Sequence, residues 1–177
     1  MSLGDLDRQA LELARTRGHS VQIERAVAAY SRLGEHAACW LTLGAAGALV
    51  AGDPARRRRW LRATRVVAGA YALNVAVKLV VRRPRPQLPG LPALTPTVSQ
   101  LSFPSAHATT SFAAARAFGA LVPAPFLYGA AFAFALSRPY LGVHYPGDVL
   151  AGALLGTVIA ELWPSSPGGP PPRGRCA

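Results

Sequence analysis

The 177-residue chain carries 19 Lys and Arg against 8 Asp and Glu, a net charge of +11, and half of it is hydrophobic although only 8% is aromatic. That length suits one domain, and the arginines are not laid along a polar face with aromatics between them. With no finger, helix-turn-helix or RNA-binding signature, nucleic acid is the weakest of three partners for this charge, behind an anionic membrane surface and an anionic substrate, and no nucleic acid is expected. Two cysteines, Cys39 and Cys176, make no disulfide framework, and the first 35 residues hold no apolar core of the length a signal peptide needs.

Residues 1–35 form an amphipathic helical segment. Leu3, Leu6, Ala10, Leu13 and Ala14, then Val21, Ile23, Val27 and Tyr30, recur at helical spacing with a break near Gly18. Such helices lie on a membrane surface or pack on a bundle, and a merely solubilising segment fits equally well. Residues 37–52, "AACWLTLGAAGALVAG", are uncharged, and His36 and Trp40 can lengthen this run. "DPARRRRWLR" follows as a basic loop ending in a tryptophan suited to an interface. A second apolar run, 66–81, contains Asn74 and Lys78, the only lysine in the chain. The proline density of 84–104 admits no long helix. Apolar runs at 108–122, 126–136 and 149–163 complete the set, joined by "PAP" and by "SRPYLGVHYPGD".

The expected architecture is an all-α integral membrane bundle of about five transmembrane helices over 36–163. The N-terminal helical segment precedes it, and a Pro/Gly-rich tail with the composition of disorder follows at 164–177. Gly152 and Gly156, and Gly129 and Ala133, are small-residue pairs that let helices approach. They are expected to pack inside the monomer, with a seam between two copies left open. The Arg56–Arg59 run, with Arg62 and Arg65, reads as a cytoplasmic headgroup anchor, which turns the two polar connections outward from a plasma membrane.

The unusual residues gather at the ends of three runs: Lys78 with Arg85 and Pro86; "FPSAH" around Ser105 and His107; and Ser137, Arg138, His144 and Asp148. Singly, each has a plain explanation. Lys78 snorkels, as Arg82 and Arg83 would beside it. Ser105 caps a helix. His144 and Asp148 are an interface histidine and a helix start. Asn74, one turn before Lys78, serves packing between helices.

Together, Lys-x6-Arg-Pro, Pro-Ser-x-His and Ser-Arg-x5-His-x3-Asp, in this order with helical runs between, resemble the phosphatidic acid phosphatase type 2 superfamily, lipid phosphatases related to vanadium haloperoxidases. The resemblance covers Lys78 to Asp148 and the surrounding apolar runs, but neither residues 1–35 nor the tail. The family's second motif usually has glycine where this chain has Ala106. The resemblance implies that His144 is a nucleophile forming a phosphohistidine, that Asp148 fixes its tautomer, and that His107 is general acid and then base. Lys78, Arg85 and Arg138, with Ser105, Ala106 and the amides of that helix start, would bind the phosphate. No metal and no cofactor is implied. The substrate expected is a lipid phosphate such as phosphatidic acid, phosphatidylglycerol phosphate or a polyprenyl (di)phosphate. For a small Arg- and Ala-rich member, a decaprenyl-linked phosphoribose of cell-wall arabinan assembly is the specific expectation.

Three rival readings remain at this point. His107, His144 and Asp148 have the residue types of a metal set, but three neighbouring cations would repel a divalent ion. A non-catalytic phosphate binder needs the cations but not both histidines. A vanadate-dependent peroxidase shares the residue pattern, but the apolar runs favour an enzyme working on lipids. His19 and His36 have no sequence partners and read as surface or interface residues.

Overall fold

In the computed structural model, residues 2–164 are described, and among them seven α-helices and one short 3-10 turn form, with no named β-strand. The expected disordered tail lies outside the described residues beyond Pro164, as does Cys176. Ser2 opens α1 (Leu3–Thr16) with a capping box closed by Asp5. The break falls at Gly18, whose φ of +72° only glycine adopts readily, and α2 (Val21–Arg32) follows under a Ser20 cap. A turn at Glu35–Ala37 leads into α3 (Ala38–Val50).

The next helix differs from expectation. α4 (Pro54–Val81) begins at Pro54, not near Val66, and runs 28 residues. Asp53 caps it by accepting from the Ala55 and Arg56 amides at 3.2 and 2.8 Å, and Pro54 pre-sets the first turn. Arg56–Arg59 are therefore exposed on the opening turns of a helix, not in a loop. Trp60 is not at an interface: it is buried, 5.5 Å from the Phe118 ring centroid and against Gly47, where a Cβ would strike the indole.

A long connection then leads to α5 (Ala106–Phe118), α6 (Ala124–Tyr140) and α7 (Pro146–Leu162). The ends of the 82–105 connection pair with each other, Arg85 N to Gln100 O at 3.2 Å and Ser102 N to Arg83 O at 2.7 Å. At about 1.5 Å per residue, the 13-residue α3 and α5 extend only about 20 Å against a hydrocarbon core of about 30 Å. Among the described residues, α4 alone is long and apolar enough to cross a membrane by itself, so the helix lengths establish one span and the count of about five stays an expectation of the sequence.

α5 is the central helix, packed by α4, α6 and α7, with Ala108, Thr109, Ala113 and Ala114 fully enclosed. Gly152 and Gly156 let α7 touch it; a Cβ at Gly156 would collide with the Thr109 carbonyl. Gly129, by contrast, faces open space and Ala133 is exposed, so this second pair does not pack inside the monomer. The outer faces of α4, α6 and α7 are apolar and bare: Val80, Phe126, Leu136, Leu154 and Leu162 are 64–82% exposed.

The N-terminal helix is turned opposite to its apolar pattern. Leu3, Leu6 and Leu13 are exposed. The stripe that faces the bundle is Asp7, Leu11 and Arg15, at i, i+4, i+8. Buried Arg15 donates to the carbonyls of Tyr140 (3.2 Å) and Pro92 (2.9 Å), tying α1 to both polar connections.

Candidate active site

The C-terminal end of α4, the N-terminal end of α5, the C-terminal end of α6 and the start of α7 meet at one end of the bundle, with the start of α5 directing its first amides there. A cavity of about 270 Å³ opens among them, lined by Lys78, Arg85, Ala106, His107, Arg138 and His144. The three sequence clusters therefore converge. Ser105 and Asp148 stand just behind this surface, fully buried.

His144 sits in the short segment between α6 and α7, 2% exposed. Arg85 Nη1 lies 3.1 Å from its Nε2. A guanidinium has no acceptor, so it donates and Nε2 offers its lone pair. The ring proton is then on Nδ1, the side facing Asp148 Oδ2 at 3.6 Å and Ser102 Oγ at 3.4 Å. Burial above all, opposed by the contact with Asp148 and joined by the charges of Arg85, Arg138 and Lys78, pushes the imidazole down to about 3, which keeps it neutral.

Asp148 is held from four sides. Arg83 Nη1 donates at 2.8 Å, the Tyr145 amide at 2.9 Å, and Ser102 Oγ donates to Oδ2, with His144 next to it. Arg83 is thus not a headgroup anchor. It bridges Asp148 to Asp7 of α1 (2.8 Å) and lies 4.1 Å over the Tyr145 ring, and although burial opposes its charge, those two carboxylates raise its pKa. Asp7 also accepts from the Gly147 amide at 2.7 Å.

Lys78 Nζ donates to three carbonyls, Leu101 (3.2 Å), Ser102 (3.1 Å) and Pro104 (2.8 Å). An ammonium carries three protons, so this one is fully committed to the segment that ends at Ser105. Asn74 Nδ2 shares the Pro104 carbonyl at 3.2 Å and reaches Thr109 Oγ1 at 2.9 Å, joining α4 to α5. Arg85 also donates to Ser99 O (2.7 Å) and Val143 O (2.6 Å).

His107 Nε2 donates to the Ser31 carbonyl of α2 at 2.9 Å, which leaves Nδ1 as its free ring nitrogen. Arg138 Nη1 donates to Ser31 Oγ. Arg138 Nε and Ser105 Oγ are buried without a hydrogen-bond partner, a rare condition that a ligand commonly relieves. Among the described residues, no three side chains of His, Cys, Asp or Glu gather as a metal ligand set.

Residues 59–168 match the PAP2 superfamily. The chain belongs to this superfamily. It is 44% identical over 139 residues to the decaprenylphosphoryl-5-phosphoribose phosphatase of Mycobacterium tuberculosis, covering 78% of this chain and 77% of that one. To the protein of the same name from Mycolicibacterium smegmatis it is 49% identical over 126 residues, 70% of this chain and 68% of that one. The PAP2 fold is seen also in two solved structures at 22% identity. Aquifex aeolicus LpxE superimposes with a TM-score of 0.76 over 92% of this chain and 98% of its own. The transmembrane PAP2 type phosphatidylglycerolphosphate phosphatase of Bacillus subtilis gives 0.72 over 90% and 83%.

Four residues that contact the candidate site residues were not singled out for it in the sequence: Asp7, Ser31, Arg83 and Ser102. Asp7 and Ser31 lie in helices outside the family motifs, and nothing local marks a serine that works through its carbonyl. Arg83 carried a usable signal, a buried acid at Asp148 in need of more than one partner. His19 and His36 are also placed: His19 bonds Glu24 at 3.0 Å and stacks on Tyr140, and His36 Nδ1 pairs with Tyr71 Oη at 2.7 Å on the cavity rim.

Proposed function

We propose that the protein is a metal-independent membrane phosphatase that removes the 5-phosphate of decaprenylphosphoryl-5-phosphoribose through a phosphohistidine. The observation that carries this is the His144 geometry: a neutral, buried imidazole with its Nε2 lone pair turned to Arg85 in a pocket of three cations. The substrate comes from the relatives of that name, which align with most of the chain.

In this reading, Nε2 attacks phosphorus as the ester P–O bond breaks. Arg85 and Arg138, including its unpartnered Nε, take the non-bridging oxygens with Ser105 and the Ala106 amide. His107 donates a proton to the leaving C5 alkoxide from Nδ1, which requires the imidazolium form that the negative charge of the bound phosphate favours. It then accepts a proton from the water that hydrolyses the phosphohistidine. Asp148 holds the Nδ1 proton of His144 and offsets its charge as the N–P bond forms. Lys78 adds positive charge from below while holding the 101–104 carbonyls.

The bare apolar faces of α4, α6 and α7 support residence in a membrane. Arg56–Arg59 and Lys78 lie at opposite ends of α4, so a cytoplasmic arginine cluster turns the pocket outward from the plasma membrane. The exposed Gly129–Ala133 edge is where a second copy would pack.

The test is phosphate release from decaprenylphosphoryl-5-phosphoribose by purified protein in excess chelator, with His144→Ala as control. Release that stops on chelation and returns with a divalent ion contradicts the mechanism. Release from phosphatidic acid or a polyprenyl phosphate alone contradicts the substrate.

A further inference from the structure

The pocket has a mouth that phosphate chemistry does not use. Glu35 lines the same cavity as Lys78, Arg85 and Arg138, and among the described residues no group donates to its carboxylate or pairs with it. A carboxylate there offsets part of the charge of Arg138 and repels an incoming phosphate dianion, and its oxygens stay open to a further ligand. The backbone around it is also unusual. His36 (φ 52°) and Ala37 (φ 60°) both occupy the left-handed region, which side chains adopt only when their surroundings impose it. Gly34 holds this turn against the site: a Cβ there would lie 2.8 Å from His107 Cδ2.

Facing the turn is one stripe of α4. Tyr71, Asn74 and Lys78 follow at i, i+3 and i+7, running from the cavity mouth to its floor. Tyr71 Oη pairs with His36 Nδ1 at 2.7 Å. Asn74 Oδ1 is buried without a partner, because Nδ2 is fixed on Pro104 O and Thr109 Oγ1. The mouth therefore presents a free carboxylate and a phenol–imidazole pair, with the buried, unpartnered amide oxygen of Asn74 below them. Two of these accept only. They call for a ligand rich in O–H donors, placed one group away from the phosphate.

We propose that Glu35, with the His36–Tyr71 pair and Asn74 Oδ1, is a sugar subsite that binds the vicinal hydroxyls of a pentose between the scissile phosphate and the lipid. Acidic side chains take the hydroxyls of ribose in this way in dinucleotide sites. The inference rests on the lipid-phosphatase reading and adds the residues that select the headgroup. The cost of Glu35 to phosphate binding is then a means of rejecting sugar-free lipid phosphates, which bring charge without hydroxyls.

The experiment compares two detergent-solubilised substrates, farnesylphosphoryl-5-phosphoribose and dioleoyl phosphatidate, on the wild type and on Glu35→Gln and Tyr71→Phe. Glu35→Gln is expected to lower kcat/KM on the ribose lipid about tenfold, chiefly through KM, and to raise it on phosphatidate because a repelling charge is gone. Tyr71→Phe is expected to lower the ribose-lipid value by a smaller factor. A 2-deoxyribose analogue should cost the wild type more than it costs Glu35→Gln. Equal losses on both lipids would overturn the subsite and assign Glu35 to proton transfer instead. Equal wild-type efficiency on both would overturn it while leaving the phosphatase intact. A wild type that releases phosphate from neither removes the phosphatase reading and the subsite with it.

Discussion

Lys78 Nζ sits 2.8 Å from the Pro104 carbonyl and within 3.2 Å of two more, those of Leu101 and Ser102. This explains why an arginine-rich chain keeps one lysine. Three carbonyls converging on a point suit a tetrahedral ammonium, and a planar guanidinium cannot serve them. Lys78→Arg keeps the charge, yet should lose most of kcat and destabilise the protein by about 1–3 kcal/mol, since the carbonyls lose their donors. Thermal unfolding in detergent and amide exchange at 101–105 check this. Full activity with unchanged exchange would make the lysine a plain anchor.

Asp148 reaches His144 only as part of a cluster with Ser102 and Arg83. Asp148→Asn should reduce kcat by about 10³–10⁴-fold, because an amide favours the wrong tautomer. Ser102→Ala should cost much less, about tenfold, since Asp148 keeps Arg83 and the Tyr145 amide. Steady-state phosphate release on both variants orders the two effects.

The N-terminal helices reach the candidate site. Ser31 accepts from His107 through its carbonyl and from Arg138 through its hydroxyl, and Asp7 extends the Arg83–Asp148 pair. Ser31→Ala should weaken Arg138, seen as a higher KM for phosphate esters, and Ser31→Thr should restore much of the loss. Asp7→Asn and Arg83→Ala should be strongly non-additive in kcat, because they break one chain of contacts.

His144 gives stability a pH dependence whose sign is fixed. Its folded pKa is about 3, while an unfolded histidine titrates near 6.5. Between those values the unfolded chain binds a proton that the folded one does not. Stability is therefore full above about pH 6.5 and declines as pH falls toward 3. Melting temperatures from pH 7.5 to 5 should drop, and the drop should be smaller in His144→Gln.

Much of this was legible in the chain. Lys78, Arg85, His107, Arg138 and His144 line one cavity with Asp148 behind it, as the family resemblance implied, and each motif stands at the end of an apolar run. The start of α4 was not legible, since four successive arginines read as a loop until Asp53 and Pro54 are recognised as cap and first turn. The orientation of α1 was hidden for a related reason. Its apolar stripe faces out, and what docks it is a charged stripe, Asp7 and Arg15, whose partners are backbone groups and an arginine far along the chain. The Glu35–Ala37 turn left no mark either, because its left-handed backbone is built without glycine at His36 and Ala37.

The proposed mechanism places a covalent phosphate on His144 Nε2. It is tested most directly by rapid quench at alkaline pH with decaprenylphosphoryl-5-phosphoribose labelled in its 5-phosphate, followed by peptide mapping. The account predicts acid-labile, base-stable label on the peptide containing His144, formed in chelator and absent from His144→Ala. Full turnover with no label at any quench time, or label on His107 instead, would contradict it.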